Sequence, residues 1–140
     1  MSSETQPTID FLILADRAEA LNGKLYMMGG GWDVLAPPKA GEPVSFSVAL
    51  GILVPWLATN IDHRCIVQLE DADGRKLVDL NFNFKTGRPP NMEQGAPQRV
   101  MVALPLSVVF PASGAHVIIA SVGDEEKRVG FHVRVPPAAR

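Results

Sequence analysis

Only one cysteine, Cys65, occurs in the chain, so no disulfide can form within it. Basic runs are missing too. No stretch of Lys or Arg exceeds two residues, and the formal net charge is -2 over 140 residues. The long-range field that draws a protein to nucleic acid is therefore lacking, and so is attraction to anionic membrane surfaces. Aromatics are scarce at 6 Phe, 2 Trp and 1 Tyr, which leaves few platforms for stacking bases. No apolar run approaches the roughly 20 residues that span a bilayer. Met1 to Pro7 has neither the basic start nor the apolar segment of a secretory leader. These absences predict a cytoplasmic protein with no nucleic-acid partner and no membrane insertion.

What is present is apolar and finely punctuated. Hydrophobic residues make up 46% of the chain, enough for one self-sufficient core at this length. The mean hydropathy is +0.11, high for a small monomer, and hints at a covered face. Twelve Gly and twelve Pro interrupt the sequence at short intervals. Between them the apolar residues recur with a period of two, the signature of strands with one buried face. Val44, Phe46, Val48, Leu50, Ile52 and Val54 point one way; Val78, Leu80, Phe82 and Phe84 do the same, as do Val100 to Phe110 and Val129 to Val135. His63, Cys65, Val67 and Leu69 share a face. Ile9 to Ala15 and Ala115 to Val122 are apolar throughout, as central strands are.

Turn chemistry joins these runs. Asn22-Gly23 and Asp71-Ala72-Asp73-Gly74 are hairpin signals. About eight strands result, spaced as in a sandwich or barrel. Ala15 to Leu21 carries helix propensity that competes with strand continuation into Asn22-Gly23. Pro55 to Ile61 is a second candidate for a short helical turn. The expected fold is an all-β antiparallel sandwich over 9–135, with tails at 1–8 and 136–140.

Chemistry is weakly signalled. Gly29-Gly30-Gly31 lacks the Lys-Ser/Thr of a phosphate loop and opens no helix, so a bent strand is expected there, with Trp32 plugging the core or a sheet corner. His63, His116 and His132 show no ligand spacing. Cys65 lies on an apolar parity and reads as a small hydrophobe. Asp71-x-Asp73-Gly74 lacks the Glu that would complete a calcium loop. No cofactor, metal or catalytic residue is expected. The rival reading is a small-molecule-binding or hydrolytic cleft lined by Asp16, Trp32 and Asp33.

One pattern favours contact with another protein. The alternate face of 43–54 is Ser45, Ser47, Ala49, Gly51 and Leu53, and that of 99–110 includes Met101 and Ala103. Both are short and uncharged, where a solvated sheet face carries longer polar residues. These positions, Trp32, and Arg88 and Met92 in the unstructured 86–97 segment are the candidate contacts. Overall a non-catalytic binding or structural module is expected, self-associating or part of a larger assembly.

Three stretches resemble those of a small bacterial family of unknown function. They are a Phe-x-x-Leu-Ala-Asp strand at Phe11 to Asp16, Gly23-Lys24-Leu25, and Gly29 to Asp33 with its Gly-Gly-Gly-Trp-Asp order. "VQLEDADGRKL" at 67–77 and "FPASGAHVIIASVGDEEKRVGFHV" at 110–133 are similar to that family's central and closing hairpins. The resemblance implies an immunoglobulin-like sandwich and no known activity.

Overall fold

The structure is a computed structural model and describes residues 5–137. Among these residues the chain forms β1 (Thr8–Leu21), β2 (Lys24–Gly30), β3 (Val34–Leu35), β4 (Val44–Val54), β5 (His63–Asp71), β6 (Lys76–Phe84), β7 (Gln98–Val108), β8 (Gly114–Val122) and β9 (Glu125–Val133). A single 3-10 turn, Trp56–Ala58, is the helical content. The strands lie in two sheets, ordered β2-β1-β4-β7 and β3-β9-β8-β5-β6. This is the predicted all-β sandwich. The ninth strand is β3, two residues long and too short to show a period.

Alternation decides which side of each strand is inside. Phe46, Val48, Leu50, Ile52 and Val54 of β4 meet Val67 and Leu69 of β5 and Ile118 and Val122 of β8 in one apolar cluster. Burying each such side chain contributes roughly 1.5–3 kcal/mol. The two uniformly apolar runs are interior strands: β1 lies between β2 and β4, and β8 between β9 and β5.

The segment with helix propensity is strand throughout. Asn22 and Gly23 both have positive φ, 52° and 75°, as a two-residue type I′ turn requires. That turn brings Leu21 opposite Lys24 and holds β1 against β2 up to Ala15 and Gly30. Cross-strand pairing overrides the weak local preference of Ala15 to Leu21. Pro55 to Ile61 contains the 3-10 turn. Upstream, Pro7 is buried and Thr8 opens β1, so ordered chain begins before Ile9. Residues 1–4 and 138–140 of the predicted tails lie outside the described residues.

Candidate functional site

The glycine triplet is a crossing between sheets. Gly29 and Gly31 have φ of 63° and 87°, a region that strains residues with a Cβ. At Gly29 a Cβ would also run into the Asp16 carboxylate. The Gly31 N–H donates to the Leu14 carbonyl at 2.7 Å, and the chain then leaves the first sheet. On the second sheet the His132 N–H donates to the Asp33 carbonyl at 2.7 Å, and β3 runs parallel to β9.

Trp32 fills the corner so formed. Its ring meets Phe46 and Phe131 edge-on at 5.8 and 5.9 Å. Its indole Nε1 is buried with no hydrogen-bond partner among the described residues. The depression that Asp16 lines, with Arg17, Ser45 and Ser107, includes neither Trp32 nor Asp33. The residues of the rival cleft therefore face different surroundings: Asp16 lies over Gly29, and Trp32 faces the core.

The smooth face of β4 is already covered in part by its own sheet. Ser47, Ala49 and Gly51 are buried. Gly51 lies opposite Phe11, whose ring occupies the space a Cβ would need. An aromatic side chain thereby fills the gap left by a strand glycine. Ser45 is exposed, and Leu53, Met101 and Ala103 are half-buried. The buried three shape this face, and only the others can touch a partner directly.

In the 86–97 segment, Arg88 is a clamp. Its guanidinium lies 3.9 Å from the Trp56 ring centroid. Its Nε donates to Thr59 Oγ1 at 2.7 Å and its Nη2 to the Trp56 carbonyl at 2.9 Å. Met92 is half-buried, its N–H donating to the Pro89 carbonyl at 3.2 Å. Near the clamp is an apolar groove of about 470 Å³, with Leu53, Pro55, Trp56, Leu57 and Pro97 among its walls.

A further surface feature lies at the β1–β2 hairpin. Pairing of β1 with β4 ends at Ala15 opposite Ser47. Beyond it, among the described residues, β1 pairs with β2 alone, so Arg17–Leu21 and Lys24–Met28 form a two-stranded arm. Met28 is 71% exposed, Tyr26 54%, Leu21 51% and Met27 40%. Where arm and sheet diverge lies a depression of about 850 Å³, bounded by Arg17, Glu19, Tyr26 and Met28 on one side and by Ser47 and Pro105 on the other. The sequence does hold a signal for this. Leu25 to Met28 is apolar on both parities, beside a tight turn, where a strand with one solvated face alternates.

A family model described as a family of unknown function (DUF6941) matches residues 10–134. The chain belongs to this family. The matched span runs from β1 through β9, so arm, crossing and clamp are all inside the family domain. No curated protein matches the chain.

Several titratable groups of this family member have structural partners. The His116 ring is buried, with Nδ1 2.9 Å from the Gly114 carbonyl and the Phe110 ring edge-on at 5.0 Å. His63 Nε2 is 2.8 Å from the Ala58 carbonyl, and His132 is exposed. Among the described residues no three His, Cys, Asp or Glu side chains come together as a metal set. Burial pushes the Cys65 thiol up to about 11, away from the thiolate a nucleophile needs. Asp71 closes its hairpin turn, its Oδ1 accepting from the Asp73 and Arg75 N–H groups at 2.9 Å. The Arg75 N–H is the main cause that holds this carboxyl below its usual range. Among the described residues no helix is long and apolar enough to cross a membrane.

Proposed function

We propose that the protein is a non-catalytic binding module that self-associates through the β1–β2 arm. The observation that carries this reading is the exposure of Leu21, Tyr26, Met27 and Met28 on an arm only two strands thick. A two-stranded hairpin on its own is marginal in water, and exposed apolar side chains on both faces of an open edge strand favour a covering partner. Ser45, Met101 and Ala103 extend the contact face along the first sheet. A cytoplasmic setting fits the single unpaired Cys65, since a reducing compartment favours free thiols.

The test is substitution at the arm followed by sedimentation velocity. Met28→Asp with Tyr26→Ser changes exposed positions, so sandwich stability should move by no more than about 0.5 kcal/mol. Association should be lost. An unchanged sedimentation coefficient in an associating sample would refute the reading.

A further inference from the structure

Sheet edges attract stray strands, and proteins blunt them with charge, proline or brevity. Three of the four edges here are blunted. The β7 edge carries Pro105 and Arg99. The β6 edge shows Lys76, Asp79, Asn81 and Asn83 to solvent. On the last side β3 is two residues long, and the part of β9 it leaves uncovered begins Glu125-Glu126-Lys127-Arg128. The β2 edge has no such guard from Leu25 through Met28.

The register says which groups that edge offers. In a two-residue hairpin the closing pair, here Leu21 and Lys24, exchanges both of its hydrogen bonds. Lys24, Tyr26 and Met28 thus turn their N–H and C=O groups toward β1. Leu25 and Met27 turn theirs outward, with no strand beyond them among the described residues.

We propose that the occupant of this edge is the β2 strand of a second copy, antiparallel and related by a two-fold axis at Met27; this rests on the self-association proposed above. In that register Met27 faces Met27 of the second copy, and the two exchange both outward hydrogen bonds. Tyr26 then lies beside Met28 of the other copy, twice over, and thioether sulfur packs well on aromatic rings. Arg17 pairs with Met28, and Glu19 with Tyr26, so each four-strand row ends in Arg17 from one copy and Glu19 from the other. No like charges meet directly across the junction. Tyr26, Met27 and Met28, at 54%, 40% and 71% exposure, are the apolar side chains that such a junction can cover. A junction of this extent falls in the small, weak class of interfaces, under about 1,200 Å² in total, so the dimer dissociates on dilution. The joined sheet runs β7-β4-β1-β2 and on through the second copy in reverse.

Cysteine cross-linking and proline blocking test this. Directly opposed Met27 residues would have Cα atoms about 5.5 Å apart, within disulfide range. Met27→Cys should therefore oxidise to a covalent dimer at least tenfold faster than Leu21→Cys, which lies away from the axis. The wild-type chain, whose only thiol is buried, should stay uncross-linked. Met27→Pro deletes an outward N–H that β1 does not use, so it should leave the fold intact and halve the solution mass. Slow cross-linking of Met27→Cys in a chain that is dimeric, or a dimeric Met27→Pro, would overturn the strand pairing while leaving self-association standing. A wild-type chain that is monomeric at every concentration would overturn both.

Discussion

The Phe11 ring lies over the bare Cα of Gly51, its partner across the β1–β4 pair. A methyl group at position 51 would occupy the space of that ring, which would have to swing away from the strand. Gly51→Ala should destabilise the fold by about 1–3 kcal/mol, the usual range for overpacking. In a Phe11→Ala background the same change should cost nearly nothing. Urea denaturation of the four species measures the coupling.

Gly29 is held at positive φ with the Asp16 carboxylate where its side chain would be. Gly29→Ala should cost about 1–2 kcal/mol, from backbone conformation and crowding together. Asp16→Ala should recover only the crowding share. Thermal unfolding of the single and double variants separates the two parts.

Much of this architecture is legible in the residues. The period of two at Val44 to Val54 marks the buried face of β4, and Asn22-Gly23 marks the hairpin. Gly29 to Trp32 reads as a bend with a core plug because no phosphate-binding partner follows it. Other features depend on distant neighbours. Ser47, Ala49 and Gly51 look open in sequence, yet Phe11 covers Gly51 from a strand forty residues away. Nothing local tells that β1 outruns β4 after Ala15, and that departure is what exposes Leu21 and Tyr26. The two residues of β3 are a strand only because β9 passes beside them.

Arg88 binds through its planar fork, stacked on Trp56 and bonded to Thr59 Oγ1 and the Trp56 carbonyl. Lysine carries the charge without the plane. Arg88→Lys should cost about 1 kcal/mol, since the stack is near the surface. Proteolysis within 86–97 should accelerate several-fold, and limited digestion by a Glu-specific protease, which cuts after Glu93, reads it.

Burial moves the Cys65 thiol from its usual value near 9 up to about 11. The folded chain therefore keeps a proton that the unfolded chain releases. The effect is absent below about pH 9 and lowers stability progressively as pH rises from about 9 to 11. Cys65→Ser, tested by denaturation at pH 8 and pH 10.5, should lose this part of the alkaline fall. In the native wild type, a thiol reagent at pH 8 should react only at the rate of unfolding.

Solution mass by light scattering, taken on the unaltered chain across a concentration series, bears most directly on the arm as a contact surface. A self-associating arm gives a mass of twice the 15.1 kDa chain at high concentration, falling on dilution. A mass of 15.1 kDa at every concentration would contradict it.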